Sequence, residues 1–251
     1  MNQQDLYELQ FNGLDKKNEY PMALVERDKF VVKCVEKFNP KTSGRVAELS
    51  IGDGRLTYLL LKTFPKLSFD CFDISSSRIQ NVKEFLKGSL MPSNTSQFNF
   101  IECNFDTQFQ TVKSNKYQVV IALDIMEHVF DIFGFLEHCN RILDEKGLLI
   151  LRVPNIAYIR HRIALMFGSL PITASWFGPK QDLTAWAKCY GWDGGHLHFF
   201  NLPILYKLLE RSGFWVEICR DPGTRFEKLR SIAPRLLYAN PLIVARKIQF
   251  K

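Results

Sequence analysis

The sequence predicts an α/β domain built on a doubly wound sheet in which most strands run parallel. Two observations lead to this fold: short apolar segments recur along the chain, and helical patterns separate the early ones. Strands that alternate with crossover helices form a parallel sheet covered on both faces. A chain of 251 residues, 46% of them hydrophobic, is long enough to bury such a core.

The predicted elements follow from the spacing of apolar residues. Seven segments have the length and composition of strands: 45–51, 67–74, 97–103, 117–124, 147–153, 214–220 and 242–248. Three segments between the early strands have helical spacing: 54–64, 75–88 and 130–147, the last ending at Gly147. One more helix is predicted from Asn201, a suitable N-cap, to Gly213.

We expect a single domain over residues 1–251. Its predicted parts are an N-terminal helical cap (1–43), a core (44–155), a lid inserted after the fifth strand (156–200), and a C-terminal helix with a hairpin (201–251). The lid segment is rich in Trp, Phe, Tyr and Gly and contains no clean strand. It breaks the alternation of strands and helices, which is why we interpret it as an insertion.

The net charge of +7 is unevenly distributed. Residues 152–251 contain 15 Lys and Arg against 6 Asp and Glu, whereas the first 151 residues contain 18 against 20. A basic C-terminal part could attract an acidic substrate, nucleic acid or a membrane surface, or it could be ordinary solvated charge.

Cysteine usage and hydropathy indicate the compartment. The six cysteines form no CxxC pair, which favours buried thiols in a reducing compartment. The apolar runs are shorter than the roughly 18 residues of a membrane-spanning helix, and the N-terminus lacks the layout of a signal peptide. We therefore expect a cytoplasmic protein without a membrane span; its oligomeric state is left open.

The loop after the first strand, 48–54, is the first functional signal, because ligands of such sheets bind at the carboxyl ends of the strands. The dinucleotide fingerprint G-x-G-x-x-G fits poorly, since starting it at Gly52 puts Thr57 in the third glycine position. The frame E-x-S-x-G-x-G, which starts at Glu48, instead resembles the first motif of class I S-adenosylmethionine-dependent methyltransferases. Ser50 stands where that family usually has glycine.

Four further segments resemble the same family in order. "FDISSSRI" (72–79) and "FIECNFD" (100–106) are similar to its second and third motifs. Residues 117–155 and 195–214 resemble its small-molecule O-methyltransferase branch, and the resemblance covers about 40–220. It implies a Rossmann-like seven-stranded sheet with an antiparallel C-terminal strand, and S-adenosyl-L-methionine as cofactor.

The resemblance also implies roles for the strand-end residues. Gly52 and Gly54 would let the backbone approach the cofactor, Glu48 would meet its ammonium group, and Asp73 would accept both ribose hydroxyls. Asn104 would contact the adenine as both donor and acceptor. The predicted cofactor-binding residues are Glu48, Ser50, Gly52, Gly54, Asp73, Ile74, Asn104, Phe105 and Asp124.

An alcohol acceptor has to lose a proton, for which a histidine is suited. His128, His196 and His198 are the candidates for that base. The predicted substrate-binding residues are Glu127, Asn155, Tyr20, Tyr158, Arg160 and Arg162. The two arginines favour an acceptor that carries phosphate or carboxylate.

These features favour O-methylation of a small anionic acceptor: a sugar, a nucleotide sugar or a phosphate-bearing metabolite, for instance in surface polysaccharide modification. Methylation of a base is disfavoured, because the chain has neither the D/N-P-P-Y/F sequence nor a Pro-Cys nucleophile. The alternatives are an RNA methyltransferase, a catalytically silent adenosylmethionine-binding protein and, last, an NAD-linked dehydrogenase. No metal site is predicted, because Cys189, His196 and His198 have no fourth ligand at metal spacing.

Overall fold

The computed structural model describes residues 26–38, 44–89, 97–169, 171, 173, 196–223 and 226–248. Its seven strands are β1 (Gly44–Leu49), β2 (Leu67–Asp73), β3 (Phe98–Glu102), β4 (Tyr117–Leu123), β5 (Leu143–Arg152), β6 (Phe214–Arg220) and β7 (Leu242–Lys247). They form one sheet in the order β3-β2-β1-β4-β5-β7-β6, and β7 runs antiparallel to both of its neighbours. The predicted mostly parallel sheet with an antiparallel C-terminal strand is confirmed.

The helices pack on both faces of this sheet. They are α1 (Glu26–Phe38), α2 (Arg55–Thr63), α3 (Ser76–Ser89), α4 (Ile132–Ile142), α5 (Ile159–Met166), α6 (Leu202–Arg211), α7 (Glu227–Arg230) and α8 (Pro234–Leu237). Successive residues of β4 alternate between the two faces, so that Val119 and Ile121 join one buried cluster and Val120 and Ala122 join the other. None of the described helices is long and apolar enough to span a membrane.

Two predicted helix ends have different outcomes. Asn201 caps α6 as predicted, because its side chain accepts the Ile204 N–H at 3.0 Å. Gly147 does not end α4, which stops at Ile142. The chain passes directly into β5, where Leu143 already pairs with Tyr117 of β4. The helix therefore ends five residues before the predicted Gly147, because strand pairing begins at Leu143.

The lid and the N-terminal cap are only partly covered by the described residues. The helix α5 lies in the first part of the predicted lid, and residues 174–195 lie outside the described part of the chain. Of the predicted cap, the structure describes α1. The division of the chain into four parts stays a prediction.

Candidate active site

The glycine loop after β1 turns at the carboxyl edge of the sheet through three residues with positive φ. These are Ser50 at 69°, Gly52 at 56° and Gly54 at 77°. The N–H groups of Ser50 and Ile51 both donate to the carbonyl oxygen of Phe72, near the end of β2. The loop is thereby tied to the neighbouring strand, and Ser50 and Gly52 line a cavity at this edge.

The two glycines predicted to approach the cofactor have different surroundings. A Cβ atom on Gly52 would meet no heavy atom within 4 Å. A Cβ atom on Gly54 would lie 2.7 Å from Cγ1 of Val82 in α3, and the described wall of the cavity does not include Gly54. The missing side chain of Gly54 lets the loop pack against α3, and its predicted approach to the cofactor stays a prediction.

Asp73, at the end of β2, is buried and lines the cavity. Its Oδ1 accepts the Ser75 N–H at 3.0 Å, whereas its Oδ2 meets no hydrogen-bond donor in the described part of the chain. Burial raises the pKa of Asp73 above its ordinary value, and the Arg78 guanidinium, 3.8 Å from Oδ2, opposes that rise. A buried acceptor without a donor is a position that a ligand hydroxyl would satisfy.

Glu48 in β1 is buried at the base of the glycine loop. Its Oε2 accepts the Thr57 hydroxyl at 2.7 Å. Burial raises the pKa of Glu48 to about 8, while the hydrogen bond from Thr57 lowers it. Because Glu48 also lines the cavity, a cationic group placed beside it would favour the ionised carboxylate.

The end of β3 contributes the third part of this wall. Ile74, Asn104 and Phe105 all line the cavity. The side-chain oxygen of Asn104 accepts the Asp106 N–H at 2.9 Å, so it is already engaged in the local turn. The amide oxygen has a second lone pair and the NH2 group can donate, so the predicted contact of Asn104 with the adenine stays a prediction.

Asp124, after β4, lines the cavity within an ion-pair cluster that the sequence did not predict. Its Oδ2 accepts a short hydrogen bond from Arg152 and lies 3.4 Å from Nη1 of Arg27. Arg152 ends β5, so its place at a strand end was a usable signal, whereas Arg27 in α1 had none. Both arginines line the cavity.

Glu127 and two histidines form the opposite wall. Glu127 and His128 lie in a single turn of 3₁₀ helix, Met126–His128, after β4. The His128 and His196 rings are 4.8 Å apart, and Nε2 of His196 is 3.9 Å from Oε1 of Glu127. Nδ1 of His196 lies 2.8 Å from the Thr173 hydroxyl, another cavity residue that sequence reasoning missed. Burial, and then the charge of Asp124, raise the pKa of Glu127 well above its ordinary value.

His198 and Asn155 do not belong to the described wall of the cavity. Nε2 of His198 lies 3.2 Å from the Phe130 carbonyl oxygen, so this ring faces a neighbouring loop. Asn155 is buried, with its NH2 group donating to the Tyr238 carbonyl and its oxygen accepting the Ala157 N–H. These contacts orient loops and do not favour the predicted base at His198 or substrate binding by Asn155, which both stay predictions.

The aromatic and basic residues of α5 also point elsewhere. The Tyr158 ring lies under the Arg230 guanidinium at 5.1 Å, and Arg162 donates to the Ala157 carbonyl oxygen. Arg160 is exposed, and α5 as a whole buries no residue. None of these three predicted acceptor residues is part of the described cavity wall. Tyr20 lies outside the described residues.

The cavity has a volume of about 540 Å³, within the range of small-molecule sites. The residues that line it include Glu48, Gly52, Asp73 and Asn104 from the first three strand ends, and Glu127, His128 and His196 from two segments further along the chain. A nucleoside-sized ligand and a second small molecule can thus meet inside one chamber.

A family model described as a methyltransferase domain matches residues 23–217, and the chain belongs to this family. It is an S-adenosylmethionine-dependent methyltransferase, and S-adenosyl-L-methionine is its cofactor. The sequence predicted both. No curated protein matches the chain.

Three solved structures illustrate the likeness of fold. A SAM-dependent methyltransferase from Aquifex aeolicus has 11% identity and a TM-score of 0.57, over 99% of this chain and 100% of its own. The 1,6-didemethyltoxoflavin-N1-methyltransferase of Burkholderia thailandensis, solved with its substrate and S-adenosylhomocysteine, has 12% identity and a TM-score of 0.59, over 98% and 86%.

The CurJ carbon methyltransferase has 19% identity and a TM-score of 0.58, over 89% of this chain. The present chain spans only about half of CurJ, 53%. At these identities the structures show a shared fold, and they include enzymes named for methylating nitrogen and carbon. The fold therefore leaves the methylated atom open.

Proposed function

We propose that this methyltransferase transfers the methyl group to a hydroxyl oxygen of a small polar acceptor. The observation that carries the proposal is the single cavity, with the glycine loop and Asp73 on one side and Glu127, His128 and His196 on the other. Donor and acceptor meet between the two walls, where positioning and the exclusion of water promote an in-line displacement.

The residues of the first wall fit the cofactor. The open space at Gly52 admits a ligand against the backbone, and the donor-free Oδ2 of Asp73 suits a ribose hydroxyl. Ile74, Asn104 and Phe105 would border the adenine, and Glu48 would meet the ammonium group. When bound, S-adenosylmethionine supplies an electrophilic methyl group on a sulfonium.

His128 and His196 are proposed to take the proton of the acceptor hydroxyl. The Nε2 atom of His196 is the nitrogen nearer to Glu127, and the buried carboxylate would stabilise the imidazolium that forms. In the methyl transfer the acceptor oxygen gains the methyl group, its proton passes to an imidazole, and the sulfonium becomes a neutral thioether.

The acceptor is proposed to be a sugar, a nucleotide sugar or a phosphate-bearing metabolite. The anionic group of the acceptor would bind Arg27 and Arg152, and it would replace Asp124 as the partner of these two arginines. We also propose that the enzyme works in the cytoplasm, because the described cysteines are free thiols.

Calorimetry with S-adenosylhomocysteine tests the proposed cofactor site. A survey of acceptors with methyl-labelled S-adenosylmethionine tests the proposed acceptor site. Sugar phosphates, nucleotide sugars and RNA are offered as acceptors. We expect one-to-one binding of S-adenosylhomocysteine and a new O-methyl resonance in a small-molecule product. Methylated RNA, with an affinity that falls steeply with salt, would instead establish the RNA alternative. Binding of S-adenosylhomocysteine without transfer to any acceptor would favour the catalytically silent protein.

A further inference from the structure

Three metal-ligand side chains converge on the acceptor wall of the cavity. They are Glu127, His128 and His196, and each offers one ligand atom within 4.8 Å of the other two. Two of the residues are adjacent in the turn after β4, and the third comes from the last part of the predicted lid. Since the donor set is mixed oxygen and nitrogen, its chemistry differs from that of an acidic surface cluster.

Glu127 supplies the strongest reason to look for a cation here. The residue is 1% exposed, and neither carboxylate oxygen meets a hydrogen-bond donor in the described part of the chain. A buried carboxylate without a partner is costly, by several kcal/mol in typical proteins. The charge of Arg152 lowers the pKa of Glu127 only in part, because that guanidinium is paired with Asp124, and Arg27 is paired with Asp28 and Asp124. A cation between Glu127 and the histidines would compensate the charge.

His196 is oriented in the way that a metal-binding histidine usually is. Nδ1 lies 2.8 Å from the Thr173 hydroxyl, so the other ring nitrogen, Nε2, faces Glu127 at 3.9 Å. If Nδ1 carries the proton and donates it to Thr173, the Nε2 lone pair points at the carboxylate. An outer partner of this kind fixes the tautomer and ring orientation of ligand histidines.

Backbone contacts join the two segments that carry the ligands. The N–H groups of Leu197 and His198 both donate to the carbonyl oxygen of Glu127, at 2.9 and 3.2 Å. The Phe200 carbonyl accepts the Ile156 N–H, which ties the same segment to the end of β5. The relative position of Glu127 and His196 is thus fixed by the main chain, and side-chain rotations suffice to bring the ligand atoms together.

We propose that Glu127, His128 and His196 bind one first-row divalent transition-metal ion, of the class of Mn²⁺ or Zn²⁺. One carboxylate oxygen and two imidazole nitrogens suit such ions better than Mg²⁺, which prefers oxygen ligands. With metal–ligand bonds of about 2.0–2.2 Å, the ligand atoms would draw together to roughly 3.0–3.4 Å from one another. Three protein ligands leave coordination positions open toward the cavity.

The role of the ion, though not its site, rests on the proposed methyl transfer to a hydroxyl. An acceptor hydroxyl bound at an open position would lose its proton more readily, because the ion stabilises the alkoxide. In the ion-loaded enzyme the two imidazoles act as ligands, and the proton passes to water. The acceptor oxygen then takes the methyl group, as in the metal-free scheme.

Metal binding is measured on the tag-free full chain after dialysis against a chelator. Calorimetric titrations with Mn²⁺, Zn²⁺ and Mg²⁺ are compared with the visible spectrum of added Co²⁺. We expect one Mn²⁺ or Zn²⁺ per chain, with Mg²⁺ binding more weakly. Glu127→Gln and His196→Ala should each weaken binding at least about 100-fold. The matched control is His138→Ala, which removes a histidine of α4 that packs against the Phe109 ring. This variant should bind the metal like the wild type.

Each result decides the proposal. The absence of stoichiometric binding to the wild-type chain, or equal binding by the two ligand variants, would overturn it. S-adenosylhomocysteine titrations on every variant show whether the chain is folded, and they also separate this inference from the proposed function. A chain that binds S-adenosylhomocysteine but no metal keeps the histidine base and loses the ion.

Discussion

The two walls of the cavity are constructed differently. On the cofactor wall, Glu48 and Asp73 come from adjacent strands, and each is held by a neighbour close in sequence, Thr57 or Ser75. On the acceptor wall, Glu127 and His196 come from distant segments, and Glu127 is buried without a hydrogen-bond donor among the described residues. On the first wall each carboxyl group has at least one oxygen with a donor, and only Oδ2 of Asp73 lacks one among the described residues. The second keeps a buried carboxyl group without a hydrogen-bond donor in the described part of the chain, a feature that proteins retain mainly at functional sites.

The substitution with the largest expected effect is Asp73→Asn on the cofactor wall. It should lower the affinity for S-adenosylhomocysteine about 10- to 100-fold, because the charge-assisted hydrogen bond that Oδ2 is proposed to accept from a ribose hydroxyl is lost, at about 1.5–3 kcal/mol. Calorimetry at neutral pH measures the change.

Glu127→Gln is the counterpart of that variant on the acceptor wall. Its affinity for S-adenosylhomocysteine should stay within about threefold of the wild type, because Glu127 is proposed to face the acceptor and not the cofactor. Equal losses in the two variants would show that the walls do not act separately.

Gly54→Ala tests the part of the glycine loop that serves packing. We expect the free energy of unfolding to fall by about 2 kcal/mol, because the new Cβ meets buried Val82 and the backbone has a φ of +77°. Gly52→Ala adds only the backbone strain, about 1 kcal/mol, yet should weaken S-adenosylhomocysteine binding more than Gly54→Ala does. Urea unfolding followed by circular dichroism gives the stabilities. A Gly54→Ala protein as stable as the wild type would refute the packing role.

Glu48 is expected to make the stability of the fold depend on pH. The pKa of Glu48 is about 8 in the folded chain, against an ordinary 4.5. Between these two pH values Glu48 is ionised mainly in the unfolded chain, which favours unfolding. Stability should therefore fall as the pH rises from about 4.5 to about 8, by at most about 1.4 kcal/mol per pH unit from this group. Glu48→Gln keeps the acceptor for Thr57 and should remove that slope.

The difference between the wild-type and Glu48→Gln unfolding curves, measured at several pH values, isolates this contribution. Parallel curves over the whole range would mean that Glu48 ionises in the folded chain as it does in water.

Local sequence determined the fold and most of the cofactor wall. The spacing of apolar residues is set by the geometry of strands and helices, so it predicted all seven strands to within a few residues. A residue that follows a parallel strand must lie at the carboxyl edge of the sheet, which is why Gly52, Asp73 and Asp124 were found from sequence alone.

Only the tertiary structure decided the acceptor wall. His196 and His198 lie two residues apart in one segment. In the structure His196 lies beside Glu127 and His198 lies beside the Phe130 carbonyl oxygen, because main-chain hydrogen bonds hold the segment against the turn after β4. Arg27 and Arg152 likewise meet at Asp124 although α1 and β5 are far apart in the chain. Such contacts depend on long-range packing, and no local pattern encodes which way a side chain turns once the segments have docked.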